Sequence, residues 1–171
     1  THFNDPEKRE HIRRLLIRAA QQKTIPIVNY NDPVSDEENR KMELAIRRSH
    51  GDQVVECVDN DETAAVIANL VHAKKLVLMT STEGIYRDPA DPKTLVEQVT
   101  AKSMEELEEK VRQLQESCVG ASRAGANGAK AKLEYALKSA RQGTMVIIGH
   151  ARHRLSDLVE GRVACTRIGL E

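Results

Sequence analysis

With 171 residues the chain is long enough to bury a core without disulfide or metal staples, and 40% hydrophobic against 30% charged residues is the balance of a folded globular protein, not a disordered one. Lys plus Arg (26) equals Asp plus Glu (26), so no net field recruits nucleic acid or an anionic membrane, and the aromatic set, Phe3, Tyr30, Tyr86 and Tyr135, is too scattered to stack bases. Cys57, Cys118 and Cys165 form no C-x-x-C pair, and neither a signal peptide nor an apolar run long enough to span a bilayer is present, which points to reduced thiols and a cytoplasmic location.

The chain opens on Thr1, not Met, and its first strand-like run arrives only at Ile25, so an upstream part of the fold is expected. Residues 5–22 carry Ile12, Leu15, Leu16 and Ala19 at helical spacing behind an Asp5-Pro6 start, which predicts a helix. Residues 25–28 (IPIV) predict a strand, ended by the turn residues Asn29, Tyr30, Asn31, Asp32 and Pro33. A Ser35-x-x-Glu38 box opens a solvated helix over 35–49. Residues 54–58 read as a strand, 61–73 as a helix with Ala64, Ala65, Ile67, Ala68 and Val71 inward, and 76–79 as a buried strand. The stretch 86–102, with Pro89 and Pro92, reads as a long surface loop. Residues 103–117 predict an amphipathic helix with a second capping box, 128–142 a helix stopped by Gly143, 144–148 a buried strand, and 163–168 a last strand at an edge. Between these two strands Ser156 and Asp157 read as the cap of a short helix. Short β-rich runs separated by helices define an α/β fold, a mostly parallel sheet sandwiched between helices, in one domain over 1–171.

Polar clusters follow directly on apolar runs at Asn29 to Asp32, Asp59 to Asp61 and Thr80 to Gly84, and in a parallel sheet such clusters gather at the carboxyl edge, where small molecules bind. Each also has a purely structural reading. One of Asp59, Asn60 and Asp61 is enough to cap the following helix, Asn29 to Pro33 suffices as a turn, and residues 120–132 (GASRAGANGAKAK) serve as a loop with Asn127 as a cap. Read as a site, Gly125 and Gly128 let backbone N–H groups approach a phosphate at a helix N-terminus, and Lys130 and Lys132 add full charges. His150 and His153 sit just past a strand, with no cysteine or carboxylate at ligand spacing, so they read as a surface loop and no metal site is expected.

The order IPIVNYND, VDNDETAA, LVLMTSTEGIYRDP, GANGAKAKLEYA and TMVIIG resembles the amino-acid kinase family, and within it the glutamate kinase branch, over roughly residues 10–169. The resemblance implies about the carboxyl-terminal two thirds of such a domain, with MgATP as cofactor and phosphoryl transfer to the carboxylate of glutamate or a related amino acid, giving γ-glutamyl phosphate for proline biosynthesis. By motif position, Asn29, Asp32 and Asn60 resemble amino-acid substrate contacts and Asp61 the acid that orients catalytic lysines. Thr80 and Ser81 fall where the nucleotide base is held. Gly125, Ala126, Asn127 and Gly128 correspond to the nucleotide loop, and Lys132 to the cation on the transferring phosphoryl. Such chemistry needs positioned cations and N–H donors, because a carboxylate attacking an anionic phosphate meets repulsion.

The departures from that family are specific. Its first strand, with a lysine and a glycine-rich phosphate turn, has no counterpart, so the chain is expected to associate with that missing segment or to form a homo-oligomer, and not to turn over ATP alone. Val58 stands for the usual glycine, Tyr30 for a glutamate, Ser81 for an aspartate and GANGA for GTGGM, while residues 35–53 form an insertion. These departures keep open an alternative, a non-catalytic ligand-binding or regulatory module of the same fold.

Overall fold

A computed structural model describes residues 6–28, 60–88, 90–117 and 128–171. The chain divides into two compact units, Thr1–Thr63 and Ala64–Glu171. The expected helix 35–49 and strand 54–58 lie outside the described residues, as do Asn29, Asp32, Gly125, Ala126 and Asn127.

In the first unit, helix α1 (Pro6–Gln21) forms as its spacing predicts, and none of its residues is buried. It ends where Lys23 adopts a left-handed conformation (φ 56°) and Thr24 N–H returns to Ala19 O at 3.0 Å. The strand expected over 25–28 does not form. Ile25 and Ile27 are 90% and 95% exposed, and among the described residues no strand pairs with theirs. β-Branched side chains favour extended backbone, but a ladder partner makes it a strand, and Pro26 removes one of the donors such a ladder needs.

Helix α2 (Asn60–Leu70) opens with Asp61 and Glu62 in its first turn, where acidic side chains favour the helix dipole. It stops short of the expected residue 73, because His72 turns left-handed (φ 51°) and Ala73 N–H bonds back to Ala68 O at 2.8 Å. The second unit holds a four-stranded sheet, β1 (Lys75–Thr80), β2 (Gln98–Ala101), β3 (Met145–His150) and β4 (Cys165–Leu170), in the spatial order β1-β3-β4-β2. β1 runs parallel to β3 and β2 parallel to β4, while β3 and β4 are antiparallel, so β1 and β3 end at one edge of the sheet and β2 and β4 at the other.

The stretch 86–102 is not all loop: its end is β2, whose Val99 and Ala101 point into the core while Gln98 and Thr100 point out. A short period-two pattern of four residues behind two prolines gives little signal. The last strand begins and ends two residues later than expected and is interior, because β2 supplies the neighbour that the sequence reading lacked. The remainder of the stretch is tied down by an antiparallel bridge between Tyr86 and Leu95 and by a 3-10 turn at Pro92–Thr94, where Asp91 Oδ1 accepts from Lys93 N–H at 2.9 Å.

Helices cover both faces of the sheet. On one, α3 (Met104–Ser117) contributes Leu107, Val111 and Leu114, and α4 (Gly128–Ala140) contributes Leu133, Ala136 and Ala140; they pack on Leu78, Val99, Val146, Ile148 and Ile168. Ser103 Oγ caps α3 by accepting from Glu106 N–H at 3.2 Å. On the other face, α5 (Leu155–Glu160) presses Leu158 onto Ile147 and Cys165, with Val77 and Val163 beside them. Arg154 holds the cap position of α5 with no side-chain bond, so the cap expected from Ser156 and Asp157 is absent; Asp157 instead accepts from the Arg162 guanidinium. The turn from α4 into β3 passes through Gly143 at φ 79°, a value glycine adopts without strain, so the helix runs back against the strand it precedes.

Candidate active site

Where β1 and β3 end, the chain places two turns side by side. Thr80 and His150 are the last register pair, and Ala151 N–H donates to Thr80 O at 2.8 Å. The first turn, 80–84, is shaped by its own hydroxyls: Thr82 N–H donates to Thr80 Oγ1 at 2.9 Å, and Thr82 Oγ1 donates to Gly84 O at 3.1 Å. Ser81 and Thr82 are left exposed at its apex. Gly84 then passes so close to β4 that a Cβ would collide with Thr166 Oγ1 and come within 2.9 Å of Thr166 N. Thr166, fully buried, locks the exit of the turn: its Oγ1 accepts from Ile85 N–H at 2.8 Å and donates to Val96 O at 2.7 Å.

Glu83 faces the second turn. Its carboxylate takes Arg152 on Oε1 and His153 Nε2 on Oε2, the latter at 2.6 Å, with His150 adjacent to His153 at 6.3 Å between ring centroids. Partial burial pushes the Glu83 carboxyl up, but the His153 hydrogen bond and the neighbouring Arg152, His153 and His150 outweigh it and hold the group below its ordinary value. No cluster of three or more His, Cys, Asp or Glu able to hold a metal occurs among the described residues.

The N-terminus of α4 faces the same edge, because the helix runs antiparallel to β3. Gly128 opens it at φ 59°, and Lys130 and Lys132 follow within the first turns, at the end of a helix where backbone N–H groups favour an anion. Ala131 and Tyr135 pack on Ala65 of α2 and on Leu76, which joins the early turns of α4 to α2. An open groove of about 570 Å³ lies between α3 and α4, lined by Arg112, Gln115, Glu116, Lys130, Ala131, Glu134 and Tyr135.

Of the residues singled out by sequence, Thr80, Ser81, Gly128 and Lys132 lie at this edge of the second unit. Asn60 and Asp61 lie in the first turn of α2 and fall in the first unit, whereas the helix from Ala64 onward belongs to the second. The reading missed Glu83 and Arg152 and left His153 as a bare loop residue. No spacing rule could have joined them, since the paired residues lie 69 and 70 positions apart.

A mostly parallel sheet between helices, with hydroxyls, a glycine-led helix start and lysines near the edge where two parallel strands end, defines an α/β sandwich. The family model described as the amino acid kinase family matches residues 2–150, and the chain belongs to that family. It is 33% identical over 149 residues to the glutamate 5-kinase of Geobacillus kaustophilus, covering 85% of this chain and 34% of that protein. It is 30% identical over 172 residues to glutamate 5-kinase 1 of Bacillus subtilis, covering 97% of this chain and 41% of that protein. The chain thus spans well under half the length of these curated relatives. Among solved structures, the carbamate kinase from Giardia lamblia bound to AMP-PNP superposes with a TM-score of 0.51 at 17% identity, covering 70% of this chain and 34% of that one. A protein of Aeropyrum pernix gives 0.50 at 17% identity, over 70% of this chain and 35% of its own. These two likenesses bear out the fold. No helix among the described residues is long and apolar enough to cross a membrane.

Proposed function

We propose that the chain supplies the nucleotide-facing and acceptor-facing part of a cytoplasmic kinase that transfers a phosphoryl group from MgATP to the carboxylate of an amino acid, glutamate being the acceptor and γ-glutamyl phosphate the product. The two units are read as parts of one amino-acid-kinase-like domain. In this reading Thr80 and Ser81 hold the base, and the loop ending Gly125, Ala126, Asn127 and Gly128 wraps the phosphates. Lys132 neutralises charge on the transferring group, Asp61 orients the lysines, and Asn29, Asp32 and Asn60 hold the amino acid. The acceptor carboxylate and the phosphate repel each other, so catalysis consists of cations and N–H donors fixed in advance, with no covalent step on the protein.

The observation that carries the reading is α4: a left-handed glycine starts a helix whose first turns bear Lys130 and Lys132 at the edge where β1 ends in Thr80. Lys132→Met in the complete protein is the test. Glutamate-dependent ADP release should fall about a hundredfold or more in kcat, with the KM for glutamate nearly unchanged. An unaltered kcat removes Lys132 from the mechanism. A second reading, a ligand-binding module without turnover, is favoured by Ser81, whose hydroxyl brings no charge to the nucleotide side; MgADP binding without glutamate-dependent turnover in the complete protein would select it.

A further inference from the structure

Past the Thr80–His150 pair the sheet ladder stops, and among the described residues no backbone hydrogen bond joins the turn 81–84 to the turn 151–153. What joins them is one side chain. Both Glu83 carboxylate oxygens cross the gap, one to Arg152 and one to His153, and Glu83 is only 17% exposed although Ser81 and Thr82 beside it lie open. The hydroxyl bonds of Thr80 and Thr82 set the shape of the first turn but attach it to nothing outside itself. Thr166 anchors only its far end, through Ile85.

We propose that Glu83 is a positioning residue, which with Arg152 and His153 clamps the turn carrying Thr80 and Ser81 to the end of β3 and so holds those two residues ready for the nucleotide base. The proposal rests on the reading of Thr80 and Ser81 as base contacts. A turn held in its binding geometry spends no affinity on being ordered when the ligand arrives, whereas an unclamped one must be immobilised at that moment. The clamp is a bidentate acceptor for two donors from one short segment, so removing either the carboxylate charge or the guanidinium opens it.

Calorimetric titration with MgADP tests this on the complete protein. Glu83→Gln and Arg152→Gln should each weaken MgADP about fivefold, and the double variant should lie within about twofold of the worse single one, because both remove one clamp. Amide exchange of Ser81 and Thr82 should quicken while that of Ile147 and Ile148 keeps its wild-type rate, a split that general loosening would not produce. If Glu83→Gln does not fold, Arg152→Gln carries the test alone, its side chain being mostly exposed. Folded variants with wild-type affinity overturn the clamp and leave the base contacts standing. A complete wild-type protein that takes up no MgADP at millimolar concentration overturns both.

Discussion

Residues 25–28 read IPIV and residues 145–148 read MVII, nearly the same apolar composition in runs of equal length. In the second unit Ile147 and Ile148 are 0% exposed and lie in a strand paired on both sides, with β1 and with β4. In the first unit Ile25 and Ile27 stand almost wholly in solvent with no regular structure. Burial comes to a β-branched residue from neighbours: the pleat that buries Ile148 is made by α3, α4, β1 and β4, and the first unit shows no equivalent among its described residues.

The sharpest way to break this contrast is a pair of truncations. Ile148→Ala should cost about 3–4 kcal/mol in denaturant unfolding, the transfer term plus a cavity that close-packed neighbours cannot fill, while Ile27→Ala should stay within about 0.5 kcal/mol. Similar losses at both positions would show that residues 25–28 are packed against something. A smaller effect, about 2–3 kcal/mol, is expected for Thr166→Val, which keeps the volume but strips the hydroxyl that serves both Ile85 N–H and Val96 O. A loss below about 0.5 kcal/mol would mean that water replaces the hydroxyl there.

The smallest effect belongs to the edge itself. Glu83 is held below its ordinary carboxyl value in the folded chain, so its contribution is fully present above that ordinary value and is lost as pH falls through the depressed folded one. Glu83→Gln should therefore lower stability by about 1 kcal/mol at neutral pH and by progressively less in acid, where the wild type converges on the variant. Parallel stability–pH curves would show that the carboxylate charge is not what binds the two turns.

The long elements were legible because their periodicity was long: the predicted helices at 5–22, 103–117 and 128–142 and the strands at 76–79 and 144–148 differ from the structure by a few terminal residues. The expected strand over 25–28 failed because propensity names a conformation and not a partner, and β2 was hidden because four residues behind Pro89 and Pro92 carry too little pattern. Reading polar clusters after apolar runs placed Thr80 to Gly84 at the end of a strand, where β1 does end, whereas Asn29 to Asp32 and Asp59, expected at the same edge, lie outside the described residues. The contact of Glu83 with Arg152 and His153 was not legible, because two turns so distant in sequence meet only once β1 and β3 have paired.

The sheet order also bears on how the chain acquires its shape. Lys75 pairs with Met145 and Gln98 with Arg167 across most of the second unit, whereas β3 and β4 are joined through one short helix, so Val146 meets Ile168 after closing a much smaller loop. Loop-closure entropy favours the β3–β4 hairpin-like pair as the early nucleus, with β1 and β2 adding later on its two flanks. Substitutions at Val146 or Ile168 should then slow refolding, while those at Leu78 or Val99 should mainly speed unfolding, which stopped-flow φ-values would distinguish. The edge that carries Thr80, Ser81 and Glu83 would accordingly be among the last parts of the molecule to be completed.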